Sequence, residues 1–412
     1  MKSIIKNRQI FILYLILVLS SCGKTSKNSS DLLQKSDSGY NSPTSMSLVE
    51  PATSAGSDST PTITIGGLKA KDAVKIYTDS SCNNEVASGT ATSSTITLAV
   101  SPLTEGHYNF YSRRGSWDGI SSCSSVSVSY SYINCPSNYV LVHGNSNLGA
   151  PYAFCVSKFE MKCSGNQCSE TLPVGPSINA VAASTSSGKP WIRITQAQAQ
   201  TACKNIGAKY DLISNPEWMT IAHEAESQAV NWSSGVIGTG AIYRGHSDGI
   251  IEGGVSGWEL EASTDSNPYH QTGNSEIEPM GSGKEQKRIL KLLSGHFIWD
   301  FSGNVWEWTN WDLDSGLIDG PTTCSPGISE IPSLNCSALL NTDFMPGNPE
   351  DVDPNLYNSN YGLGKIIGGN GGGAIRGGIS SSGTVAGIFS LDLEFQSNIA
   401  SRVIGFRCVY RP

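Results

Sequence analysis

Lys2, Lys6 and Arg8 stand ahead of an apolar run from Ile10 to Leu19, and a run of that length is too short to cross a bilayer as a helix. Basic residues, a short apolar stretch and then small residues make a secretion leader. The chain beyond the leader therefore folds outside the cytosol, where disulfides form and persist. The chain carries eleven cysteines, so bridges are expected in preference to free buried thiols.

The leader ends in "LSSC". A small-residue stretch followed directly by cysteine resembles the lipobox of bacterial lipoproteins, which implies that residues 1–21 are removed and that Cys22 becomes the lipidated N-terminus. The expected location is then the cell envelope, held to a membrane by lipid, at the outer membrane or cell surface in preference to the inner membrane. Losing Lys2, Lys6 and Arg8 takes the net charge from −8 to −11, which speaks against a nucleic-acid partner. Ten cysteines remain, an even number that allows five disulfides. Sequence leaves their connectivity open. Proximity favours Cys82 with Cys123, Cys135 with Cys155, Cys163 with Cys168, and Cys324 with Cys336, and leaves Cys203 and Cys408 over.

Residues 22–60 are dominated by Ser, Thr, Gly, Asn and Asp, with too little apolar content to offset the entropy of ordering; a flexible tether is expected. Residues 61–134 change character. "TITI", "AVKIY", "STITLAV", "HYNFYS" and "SVSVSYSYI" alternate or cluster β-branched and aromatic residues between turn signals, the pattern of a small all-β sandwich. A unit that small buries little core, and a Cys82–Cys123 bridge is expected to add roughly 2–4 kcal/mol. The segment is similar to the Ig-like spacer modules of bacterial surface proteins.

Residues 135–412 are long enough for one substantial domain. Two helices are expected. One starts after Thr195 in "ITQAQAQTACKNIGAKY", with Gly207 as its stop; the other lies in "SNPEWMTIAHEAESQAVNW", with Asn215 as cap and Pro216 in the first turn. Elsewhere short strands alternate with long Gly-, Ser- and Asn-rich loops. Several catalytic patterns fail on their own terms. His223-Glu224 lacks the second histidine of a zinc-protease helix, Ser227 standing there, and Gly364-Lys365 lacks the leading glycine of a phosphate loop, which is Ser359. "GGNGGGAIRGG" follows no strand-to-helix context, and the six histidines form no ligand-spaced cluster.

Four motifs remain, in order: "KPWIRITQAQAQTACKNIG", "DLISNPEWMTIA", "WDFSGNVWEW", and "RGG" with "GFRCV" further on. Together they resemble the formylglycine-generating enzyme family, the sulfatase-modifying factors, over residues 135–412. The resemblance implies an α+β, loop-rich C-type-lectin-like fold and a bridge between Cys203 and Cys408. It also implies a structural calcium site made by the Asp300 side chain, the Gly303 and Val305 carbonyls and the Glu307 carboxylate, hard oxygen donors of the kind calcium takes. The family more often has Asn at the position of Asp300. Read from the residues alone, the same stretch is equally a Gly-Asn turn with Trp299, Trp306 and Trp308 in the core and Glu307 bonding to backbone amides.

The departure from the family lies in its chemistry. Active members hold copper(I) on two cysteines, four and nine residues after the second glycine of the Gly-Gly-Ser turn. Counting from Gly378, those positions are Ser382 and Gly387. Copper(I) is soft and is held by thiolate, and neither a hydroxyl nor glycine replaces that ligand. No copper is expected. The expectation is a catalytically inactive, envelope-anchored binding module for protein or glycan, using its C-terminal loops around residues 376–402. The opposing one is a formylglycine-type oxidoreductase acting on a protein cysteine.

Overall fold

The computed structural model describes residues 37–117, 119–164, 180–251, 255–256, 260–261, 267–272, 286–312, 362–367 and 372–412. The expected leader, the expected lipidation site Cys22, and Cys168, Cys324 and Cys336 lie outside these residues, as therefore do the pairings expected of Cys163 with Cys168 and Cys324 with Cys336. The described chain is β-rich, with several sheets and two α-helices. No described helix is long and apolar enough to cross a membrane.

The first unit is two sheets around one core. Thr62–Gly66 is the middle of a three-stranded sheet, between Ser45–Glu50 and Thr95–Ala99. The long strand Gly106–Ser116 organises the other, pairing with Ala73–Tyr77, Gly119–Ser121 and Val128–Tyr132. Alternation sends Ile63 and Ile65 inward from the first sheet, where they meet Val74, Ile76, Phe110 and Tyr130 from the second. Cys82 and Cys123 are bridged.

One expectation is overturned here. Residues 37–60 were expected to be tether, yet Asp37–Tyr40, Ser45–Glu50 and Ala55–Gly56 are strands. Ser45–Glu50 pairs antiparallel with Thr62–Gly66, and its Met46 and Leu48 pack against the core. Arg114 donates to Asn41 O at 2.6 Å and to Asp72 Oδ2 at 2.9 Å, while Tyr40 gives its hydroxyl to Asp72 Oδ1 and its ring to the guanidinium. Ladder bonds and one buried arginine supply what the polar composition does not.

In the second unit, Gln196–Lys204 (α1) is capped by Thr195 in a capping box with Gln198. Its C-cap is Asn205 and the expected stop, Gly207, lies beyond it. The second helix, Asn215–Glu226 (α2), is capped by Ser214, not Asn215, because Ser214 and Glu217 form a reciprocal capping box that fixes the start one residue earlier. It ends at Glu226, and Ala229–Asn231 continues as a 3₁₀ turn. Two sheets position these helices: a four-stranded one in the order Tyr139–Val142, Phe154–Ser157, Cys408–Tyr410, Tyr210–Leu212, and a five-stranded one in which Trp306–Asp312 lies between Gly373–Arg376 and Ile404–Phe406. A Cys203–Cys408 bridge ties α1 to the first of these sheets.

The units meet closely. Cys135, just after the sandwich, is bridged to Cys155, and Ala55, Ile133, Ala153, Cys155 and Tyr410 share one apolar cluster. Glu105 of the sandwich accepts from the Tyr410 hydroxyl at 2.8 Å and from Lys209 Nζ at 3.3 Å.

Candidate functional site

The "WDFSGNVWEW" stretch is a strand, a strained turn and a second strand. Phe297–Trp299 leads in and Trp306–Asp312 leads out. Between them Asp300, Gly303 and Asn304 adopt left-handed φ values of 48°, 78° and 62°. Glycine is required at 303, where a Cβ would sit 2.4 Å from His246 O and 2.7 Å from Arg244 O. Asn304 tolerates its conformation and uses its side chain fully: Oδ1 accepts from Leu260 N at 2.6 Å, and Nδ2 donates to Glu160 Oε2 at 2.6 Å and Leu260 O at 3.0 Å. Trp299, Trp306 and Trp308 are all buried around the Gly-Asn turn, but Glu307, expected on the plainer reading to bond backbone amides, faces the Arg407 guanidinium instead.

The two carboxylates expected as calcium ligands face two arginines. Both oxygens of Asp300 accept from Arg288, Oδ1 from Nε at 2.7 Å and Oδ2 from Nη2 at 2.6 Å. Glu307 Oε1 forms an ion pair with Arg407 Nε at 2.9 Å, and Glu307 Oε2 has no hydrogen-bond partner. Arg407 spends its remaining donors on the carbonyls of Ser157, Lys158 and Trp299. Glu160 and Lys162 complete a buried group of three carboxyl and three basic side chains. Burial, with Arg407 opposing it, pushes the Glu307 carboxyl up to about 7. Burial and the nearby Asp300 push Glu160 well above the usual carboxylate range, and burial lowers Lys162. Each Asp300 oxygen already accepts one bond from Arg288, and among the described residues no group of three His, Cys, Asp or Glu side chains is placed to hold a metal ion.

The "RGG" turn packs directly on this one. Gly303 N donates to Gly377 O at 3.1 Å and Ser380 N to Asn304 O at 3.0 Å. Arg376, buried, holds Asn215 Oδ1 and the carbonyls of Phe389 and Ser390. Ser382, where the resembled family carries its first cysteine, is half-buried and its Oγ accepts from Ile379 N at 2.9 Å, closing its own turn. Gly387, at the second, is packed against backbone: a Cβ there would lie 2.2 Å from Gly364 N and 2.3 Å from Leu363 C. Real contacts of that kind are not made, so this backbone has no room for a side chain at 387.

Of the C-terminal stretch expected to carry recognition, residues 386–393 are buried, whereas Glu394, Gln396, Asn398, Ile399, Ala400 and Arg402 are exposed. That exposed segment is pinned at its backbone: Phe395 O accepts from Gly373 N, Ser397 O from Gln196 N, and Ser401 O from Arg193 N.

Arg288, Glu160 and Lys162 were missed by the sequence reading. A signal for Arg288 exists in the hairpin around "LLSGH": strands Ile289–Lys291 and Phe297–Trp299 pair Ile289 with Trp299, and the next step outward sets Arg288 against Asp300. No comparable local signal points to Glu160, which meets Asn304 across 144 residues of sequence.

No family model matches the chain, and no curated protein does. Among solved structures, the chain is similar to the Major Tropism Determinant P3c variant, at 10% identity over 83% of this chain and 72% of that one, with a TM-score of 0.24. A likeness that low carries no argument about fold or function.

Proposed function

We propose that this chain is an envelope lipoprotein, anchored through Cys22, whose C-terminal unit has a C-type-lectin-like fold of the formylglycine-generating kind, does no catalysis, and serves recognition of a protein or glycan. The packing at Gly387 carries the reading. Two thiolates are the chemistry that copper(I) needs, and here one position holds a hydroxyl already committed to its own turn while the other is closed by the Leu363–Gly364 backbone. The family assignment is supported by the order of the four motifs, by the Cys203–Cys408 bridge, and by the "RGG" turn lying on the "GNVWEW" turn. Recognition is supported by the exposed segment 394–402, whose backbone is held by Arg193, by Gln196 of α1 and by Gly373 of the five-stranded sheet; loops fixed on a rigid scaffold are where binding residues concentrate.

The test is direct. The mature protein is incubated with a cysteine peptide of the sulfatase type, copper and oxygen, and aldehyde is assayed by hydrazone formation. None above the protein-free blank is expected, and aldehyde scaling with protein concentration would restore the oxidoreductase reading. Glycan-array and envelope-protein binding is then read for the wild type against a variant carrying Gln396→Ala, Asn398→Ala and Ile399→Ala, which is expected to bind less while melting at the same temperature.

A further inference from the structure

The Asp300 carboxylate already holds a cation, the Arg288 guanidinium, and it is covalently attached. Arg288 is 1% exposed. Besides the two bonds to Asp300, its Nη1 donates to Glu261 O at 3.0 Å and His270 O at 3.4 Å, and its Nη2 to Leu260 O at 3.4 Å. One carboxylate and three carbonyls, drawn from three separate stretches of chain, thus converge on one positive centre. That is the donor chemistry a calcium ion selects, arranged instead around a planar fork of N–H groups that never loses its charge.

We propose that Arg288 is the resident cation of this site, standing in for a divalent metal, so that the domain folds and stays folded with no calcium requirement. Charge and geometry both favour it. Three carboxyl and three basic side chains already share the buried group, and a divalent ion beside the Arg288 guanidinium would add positive charge in a place that water does not screen. Asp300 in place of the family's usual Asn fits the same logic: a guanidinium fork binds a carboxylate through two parallel bonds, and an amide offers it only one acceptor oxygen. The proposal stands whether or not the domain binds a partner.

Melting of the mature protein in chelator and in millimolar calcium tests it first. No shift is expected; a rise of several degrees, as a ligand far above its Kd produces, would overturn it. Terbium emission gives a second readout, since the Trp299 ring lies 5.5 Å from the Arg288 guanidinium carbon and can sensitise an ion placed there. Arg288→Ser is expected to melt lower in chelator, to regain stability with calcium, and to acquire calcium-competable terbium emission absent from the wild type. A folded Arg288→Ser protein indifferent to both ions would sink the idea that the guanidinium replaces a metal. Should that variant not fold, Asp300→Asn decides. It is expected to melt lower than wild type with no calcium response, because the guanidinium has lost its partner; an unchanged, calcium-responsive melt contradicts the proposal.

Discussion

Replacing Gly387 with alanine adds one methyl group where backbone crowds on backbone in the C-terminal unit. Its Cβ would stand 2.2 Å from Gly364 N, 2.3 Å from Leu363 C and 2.4 Å from Leu363 O, where ordinary contact begins near 3.4 Å. The 363–364 and 387 backbones must therefore part by about an ångström. Two bonds lie in the path of that movement, Gly387 N to Gly377 O at 3.1 Å and Phe389 N to Leu363 O at 3.0 Å. Overpacking costs roughly 1–3 kcal/mol, and each backbone bond lost adds roughly 0.5–1.5 kcal/mol, so the expected loss is about 2–6 kcal/mol. Gly383 is the control. Its φ of 55° is left-handed, but a Cβ there meets nothing within 4 Å, so Gly383→Ala carries only the conformational cost of about 1–2 kcal/mol. Urea unfolding of the two variants and the wild type, followed by tryptophan fluorescence, reads the difference. If Gly387→Ala costs no more than Gly383→Ala, the position is open, and a cysteine there would be sterically allowed.

Three further outcomes rest on the same geometry. Removing the Cys203–Cys408 bridge as a double alanine variant opens a loop of 205 residues, and the chain-entropy relation gives a loss of about 5 kcal/mol; a loss as small as that of an ordinary surface substitution in denaturant titration would show that the bridge does not constrain the unfolded chain. Burial pushes Asp392 up to about 6, against the pull of the Glu394 amide, so the folded state holds that proton more tightly than the unfolded one. Its contribution to stability is therefore present at low pH and is lost as pH rises from about 4 towards 6; Asp392→Asn should flatten that part of the stability profile, and an unaltered profile would contradict the assignment. Glu105→Ala removes the acceptor shared by Tyr410 and Lys209 across the junction of the two units; proteolysis between residues 133 and 139 should become faster, and an unchanged rate would mean that the Cys135–Cys155 bridge and the apolar cluster hold the junction unaided.

Local signals carried the parts of this fold that are themselves local. Thr195 and Gln198, or Ser214 and Glu217, sit three residues apart and cap their helices whatever the rest of the chain does; choosing Asn215 over Ser214 was a one-residue slip between two good capping residues. The strands around "TITI" and "AVKIY" were legible because their alternation is the burial pattern itself. Residues 37–60 were not legible, since what orders them is pairing with strands up to some eighty residues away and contact with one arginine. The site divides the same way. Asp300, Gly303, Asn304 and Glu307 could be named from one motif, but what those side chains touch is contributed by Arg288, Glu160 and Arg407. Composition around Arg288 gives no hint that it is buried; only the hairpin register does.

Copper(I) retention is the sharpest single measurement. The reduced-metal form is added to mature protein under anaerobic conditions in competition with a chromogenic chelator, with the disulfides left intact. Ser382 and Gly387 supply no sulfur, so all of the metal should pass to the chelator. Stoichiometric retention by the protein, abolished by substitution near residue 382, would contradict the view that this site has given up oxidation chemistry.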